Sequence, residues 1–244
     1  MNARNNTYEN IKDFKYGVKR GLPIAMGYFP VSFTFGLMAV NGGLPVWLAV
    51  FISLSNLTSA GQFAGTNLII AGAGYFEITL TTFVINIRYM LMSLSLSQKI
   101  KPETSLWQRL IFGFGITDET FSVASMETGK LSYYYMLGLI STPIAGWTLG
   151  TLAGALICSS LPAALASAMG IALYGMFIAI IVPPSIQSGP VLFIVLLSVV
   201  ITCILKYMPF LSSISDGFRV IISTLAAAGA GAVLFPEKEA SEHA

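Results

Sequence analysis

LSYYYMLGLISTPIAGWTLGTLAGALICSSLPAALASAMGIALYGMFIAIIVPPSIQSGPVLFIVLLSVVITCIL, residues 131–205, carries no Asp, Glu, Lys or Arg in 75 positions. A helix needs about 20 apolar residues to cross the hydrocarbon of a bilayer. This run therefore has room for three crossings. Its apolar residues are continuous rather than alternating, which excludes a β-barrel. A second uncharged run, residues 21–76, spans 56 positions and has room for two. The fold class is all-α: a polytopic helical membrane protein of six to seven spans, with a broken or re-entrant helix as an option near 46–74.

The rest of the composition agrees. Of the 244 residues 55% are hydrophobic and only 10% charged, against about 25% charged in an ordinary soluble domain. A soluble enzyme, a disordered chain and a nucleic-acid binder are excluded, since a net charge of +2 is too small for a phosphate-tracking surface. Cys158 and Cys203 lie in apolar segments, where a lone cysteine behaves as a small hydrophobe. The single histidine, His243, stands in the tail, so a histidine-based metal site in the membrane is not expected, and no cofactor is.

Residues 1–20 are polar and hold Arg4, Lys12, Lys15, Lys19 and Arg20 against Glu9 and Asp13. The positive-inside rule makes this a cytoplasmic N-terminal segment. About 20 hydrophilic residues ahead of a run long enough to span argue against a cleavable signal. One transmembrane domain follows over 21–235, then a polar tail over 236–244. Spans are expected near 21–40, 77–97, 133–157, 164–182, 191–204 and 215–234, divided by Pro162, Pro183-Pro184 and Gly189-Pro190. Gly138, Thr142, Gly146, Gly150 and Gly154 recur every four residues, a ladder that lets another helix approach closely. No residue-level internal repeat is evident.

Between 46 and 74, two apolar pieces flank a polar, small-residue centre, Ser55-Asn56-Leu57-Thr58-Ser59-Ala60-Gly61-Gln62. One long helix with a polar face fits. So does a helix broken at membrane depth, which is tolerated where it is buried or lines a cavity. The cations Lys99, Lys101 and Arg109 favour the second reading. They return to the cytoplasmic side only if 46–74 leaves the membrane where it entered.

On a helical wheel, Leu80, Phe83, Val84, Ile87, Met90, Leu91 and Leu94 fill one arc of the 77–97 segment. Glu77, Thr81, Asn86, Arg88, Tyr89 and Ser93 fall opposite. Charge near hydrocarbon is costly, which singles out Glu77 and Arg88, Asp118 and Glu119, and Asp216 and Arg219. The plainer readings are an interface-seeking arginine, a helix N-cap at Thr117 and a helix-end ion pair. No nucleotide cradle, HExxH or GxSxG motif occurs, so no enzyme activity is expected.

Taken together, Pro23, Gly27 and Pro30, then Ala60-Gly61-Gln62-Phe63-Ala64, Asn86-Ile87-Arg88-Tyr89 and Thr117-Asp118-Glu119-Thr120-Phe121 resemble the AzlC family. The resemblance runs from about Gly21 to Leu234. It implies the large subunit of a two-component bacterial exporter of branched-chain amino acids, seated in the inner (plasma) membrane. It also implies a small, separately encoded AzlD-like membrane subunit. Tyr89 stands where that family often has histidine, so no histidine can carry a proton there.

A zwitterion needs an anion site and a cation site. Arg88, or freed N–H groups around Ser59–Gly61, are the candidates for its carboxylate, and Asp118 or Glu119 for its ammonium group; Asn86 and Gln62 are further candidates for substrate contact. Phe63 and Phe121 are the candidates for its apolar side chain. A coupling proton would use Glu77, Asp118 or Glu119, since a desolvated carboxyl holds its proton more tightly. Two alternatives stand beside gradient-driven export: a non-transporting scaffold or assembly subunit, and the permease of an ATP-driven system.

Overall fold

The computed structural model describes residues 2–158, 178, 181–211 and 214–236. Its elements are α1 (Asn2–Asn41), α2 (Val46–Ser55), α3 (Ala60–Ile70), α4 (Tyr75–Ser97), α5 (Leu106–Gly113), α6 (Asp118–Met126), α7 (Tyr133–Ile157), α8 (Gly189–Tyr207) and α9 (Asp216–Leu234). The protein is an all-α polytopic membrane protein. Among the described residues, α1, α4, α7, α8 and α9 are long and apolar enough to cross a bilayer. The span expected near 164–182 lies almost wholly outside the described residues. The first span differs from expectation at its start: α1 begins at Asn2, so the polar N-terminal segment is a helical extension of it.

The centre of the bundle is α1 against α7. The two run parallel: Gly17 lies on the backbone of Tyr135, Gly21 on Leu139 and Gly36 on Thr151. The glycine ladder of α7 forms the other half of this seam. A Cβ on Gly138 would strike the carbonyl of Phe14, and on Gly154 that of Phe33. Lipid tails are as apolar as leucine, so helices gain little from hydrophobicity and associate through close van der Waals contact. Glycine on both sides supplies that contact. α4 runs the other way, and part of its apolar arc faces outward: Phe83, Met90, Leu91 and Leu94 are all more than half exposed.

The segment at 46–74 is a broken helix. α2 stops at Ser55, Asn56–Ser59 is irregular, and α3 restarts at Ala60. Both outer ends of this hairpin lie at the end of the bundle where α1 finishes. A Cβ on Gly42, just after α1, would meet the side chain of Ile70 at the end of α3. The chain thus leaves on the side it entered, and α4 makes the crossing back. The chain past α4 joins the start of α7 through Lys101 N–H to Leu131 O (3.0 Å) and Leu131 N–H to Lys99 O (2.8 Å).

α5 and α6 form a second hairpin, inserted from the opposite end. Its base is held where the apolar part of α1 begins: Glu127 pairs with Arg20 at 2.8 Å, and Lys99 Nζ donates to the carbonyls of Ser125 and Glu127 at 2.6 Å. Its tip, Phe114–Thr117, reaches Tyr28 of α1, and Gly115 lies on Ile140 of α7. The two hairpin tips meet at mid-depth. Both restart on a hydroxyl residue followed four positions later by phenylalanine: Ser59…Phe63 and Thr117…Phe121.

Candidate functional site

The two tips and the middle of α4 enclose a cavity of about 400 Å³. The first hairpin contributes Leu57, Ser59 and Ala60, and the second contributes Thr117, Asp118 and Glu119. Arg88 of α4 faces Asp118 across it, Nη1 to Oδ2 at 2.7 Å. Arg88 lies thirteen residues past Tyr75, the first residue of α4, or about 20 Å along its axis at 1.5 Å per residue. An arginine at that depth needs a partner or water, because lipid exposure costs about 2.5–3.5 kcal/mol even on insertion scales. Asp118 and the cavity supply both.

Local chemistry sets each group. Thr117 caps α6, accepting from Thr120 N–H at 3.4 Å, while Thr120 Oγ1 accepts from Thr117 N–H at 2.7 Å. This reciprocal box fixes the first turn of α6. The N-cap reading of Thr117 is therefore correct, and it orients Asp118 and Glu119 into the cavity. Tyr28 Oη lies 2.7 Å from Thr117 Oγ1 and donates to the Glu119 carboxylate. Arg88 Nη2 donates to Tyr89 Oη at 3.1 Å, and Tyr89 Oη donates to Thr58 O in the first break, also at 3.1 Å. One chain of contacts thus runs from Asp118 through Arg88 and Tyr89 to the unwound backbone. The Ser59 side chain does not cap α3; Gly61 N–H is taken by Thr58 O at 3.3 Å, and the positive end of the helix dipole lies beside Ser59 and Ala60.

The other expected site residues are dispersed. Gly61 lies against the Asn86 side chain, as its missing Cβ shows. Gln62 is fully buried behind the cavity: its Nε2 donates to Ser53 Oγ at 2.7 Å, and its Oε1 accepts from Trp147 Nε1 at 3.0 Å. Gln62 is therefore a support for the first hairpin. Phe63 is core, 3% exposed and edge-on to Phe35 at 5.3 Å. Phe121 packs on the cluster of Phe112, Ile116 and Ile140. Neither phenylalanine lines the cavity, which corrects the expected side-chain pocket. Apolar wall comes instead from Leu57, Val84, Ile87 and Trp147. Glu77 lies eleven residues before Arg88, about 16 Å along α4. It accepts from Ser215 Oγ and Gly217 N–H at the start of α9. That is a carboxylate at a helix N-terminus, apart from the cavity.

Tyr28, Trp147 and Thr224 line the cavity and were not legible as site residues. Each comes from a different helix, and their sequence context is that of ordinary span residues. Trp147 offers a test of the support beneath the site. Replacing it with phenylalanine leaves Gln62 Oε1 without its donor. An unsatisfied buried acceptor costs about 1–3 kcal/mol, so the melting temperature of Trp147→Phe should fall in detergent. An unchanged melting temperature would show that the network carries no stability.

A family model described as "AzlC protein" matches residues 23–161, which is more than half of the chain and includes both hairpins. The chain is 33% identical over 157 residues to "Inner membrane protein YgaZ" of Escherichia coli (strain K12), covering 61% of this chain and 62% of that protein. It is 35% identical over 147 residues to an "Uncharacterized membrane protein" of Archaeoglobus fulgidus, covering 58% of this chain and 63% of that one. A Helicobacter pylori (strain ATCC 700392 / 26695) protein described in the same words is 26% identical over 157 residues, covering 62% of this chain and 67% of that one. The match thus spans a little over three fifths of the first two relatives' own length. No solved structure matches. The motifs that carry the resemblance all fall inside the matched region, and the chain belongs to the AzlC family.

Proposed function

We propose that the protein is a secondary exporter of branched-chain or similar neutral amino acids across the bacterial inner (plasma) membrane, driven by an ion or proton gradient. The observation that carries this reading is the Arg88–Asp118 pair at 2.7 Å on the wall of a mid-depth cavity between two broken hairpins. Transporter substrate sites take this form, with half-helix N-termini directed at an anionic group. The zwitterion's carboxylate takes Arg88 and the first turn of α3. Its ammonium group takes Asp118, with Glu119 beside it. Its branched side chain rests on Leu57, Val84, Ile87 and Trp147. Substrate thereby replaces the internal ion pair, and neither charge is left uncompensated.

The charge distribution supports a cytoplasmic amino-terminal end. Lys12, Lys15, Lys19, Arg20, Lys99, Lys101 and Lys130 gather at that end, and the far end has Lys206 and Arg219 against Glu77 and Asp216. A small AzlD-like membrane subunit belongs to this reading as partner, with the lipid bilayer and the amino acid. The test is efflux of labelled leucine and valine from proteoliposomes holding the chain, with and without that subunit, under an imposed proton gradient. Gradient-dependent efflux above that of empty vesicles is expected. Efflux no faster than empty vesicles in both preparations would return the chain to a scaffold role, and dependence on ATP would make it a permease subunit.

A further inference from the structure

A second cavity, of about 480 Å³, lies on the other side of the first hairpin. Ser55, Asn56, Gln62 and Thr66 border it from the first hairpin, and Thr82 and Asn86 from α4. Among the described residues its lining holds no ionisable side chain. Ile87 borders both cavities. The wall between them is thin: Gly61 lies directly on Asn86, and a Cβ there would stand 2.6 Å from Nδ2. Gly65 continues the same seam against Thr82, with 3.1 Å to Oγ1 from a Cβ placed on it.

Two polar atoms at this seam, Asn86 Oδ1 and Thr66 Oγ1, have no hydrogen-bond partner among the described residues, and Thr66 is 1% exposed. Native proteins leave few such groups unpaired, and each calls for an explanation. A partner that arrives only in another state is one. The hinge for such a state is also present. Ser59, at the hairpin tip, has φ 47°, a left-handed conformation that a non-glycine residue adopts only under strain.

We propose that the second cavity is a second station for the same small zwitterion, entered when Gly61 parts from Asn86, which makes the first hairpin the gate toward the end of the bundle where α1 finishes. This rests on the amino-acid reading of the first cavity. In the second station the ammonium group donates to Asn86 Oδ1 and Thr66 Oγ1, and the carboxylate accepts from Asn86 Nδ2 and the Thr82 hydroxyl, which border the same cavity. With no ionised partner it is held weakly, which suits a station that must release. The side chain lies on Ile69 and Phe83.

The experiment uses the full chain in proteoliposomes, with labelled leucine as probe. Thr66→Val keeps the shape and removes the acceptor. Leucine binding to the purified variant should stay within about twofold of wild type, while efflux falls by about tenfold or more. In a second measurement, Thr82→Cys is placed in a chain carrying Cys158→Ala and Cys203→Ala, and its modification by a thiol reagent is timed. Leucine should slow that modification. Wild-type efflux by Thr66→Val together with modification indifferent to leucine overturns the second station and leaves the first cavity's reading intact. Failure of the wild-type chain to bind leucine at all overturns both, and melting temperatures separate either result from misfolding.

Discussion

Arg88→Ala is expected to abolish leucine export while leaving the protein folded. Side-chain exposure is 40% for Arg88 and 36% for Asp118, so both ions keep contact with the cavity. A pair that open contributes about 0.2–1 kcal/mol, and its loss leaves Asp118 hydrated. Recognition suffers far more. Removing one partner of a desolvated, hydrogen-bonded charge contact costs about 2–5 kcal/mol, which is at least about thirtyfold in affinity. Arg88→Lys keeps the charge but loses the planar fork that grips a carboxylate in two places, so it should recover little export. It also loses the donor that reaches Tyr89 at 3.1 Å, and with it the link to the Thr58 carbonyl in the break. Asp118→Ala should export as poorly, and the double variant no better than either. Efflux from proteoliposomes and melting in detergent check this together. Wild-type efflux in Arg88→Ala would make the residue an interface anchor and remove the site.

The hydrophobic pattern made the long spans legible because lipid imposes one rule along their whole length. The apolar pattern placed α7 residue for residue and α9 within one residue. The first break was legible from Ser55–Gln62, since polar backbone-competing residues interrupt two apolar pieces. The second hairpin was harder. α5 and α6 have eight and nine residues, too short to register as crossings. Their charged flanks made the region resemble a surface loop. Its inverted relation to the first hairpin appears only when Ser59 and Thr117 are seen at facing tips, because Ala60-Gly61 and Asp118-Glu119 share no chemistry. Arg88 and Asp118 stood out in the sequence because charge beside apolar segments is rare. Phe63 and Phe121 were misassigned because proximity to a motif in sequence says nothing about which side of a helix faces a cavity. Glu77 shared an arc with Arg88, but it lies eleven residues earlier, about three turns of helix, which sets it apart from the cavity.

The glycines of α7 set the second large effect. At Gly150 a Cβ would run into Ser32 Oγ and stand 2.5 Å from the carbonyl oxygen of Phe29. The serine can rotate away, but the Phe29 carbonyl is backbone and cannot move without shifting α1. Gly150→Leu therefore has no local remedy, and Gly146 and Gly154 hold the helices to the same spacing above and below. Overpacking a rigid contact costs about 1–3 kcal/mol or more. Here it also lifts the Ser53 and Thr151 hydroxyls, 2.6 Å apart, away from each other and so loosens the first hairpin. Gly150→Leu should fail to yield folded protein, and Gly150→Ala should melt at lower temperature. Gly27, on α1 one turn from the same seam, is the control: a Cβ there meets nothing within 4 Å among the described residues. Alanine at a helical glycine with open space gains about 0.4–1 kcal/mol from the unfolded chain, so Gly27→Ala should melt no lower than wild type. Equal melting of Gly150→Leu and wild type would mean that α1 and α7 do not pack through this seam, and the cavity they position would lose its frame.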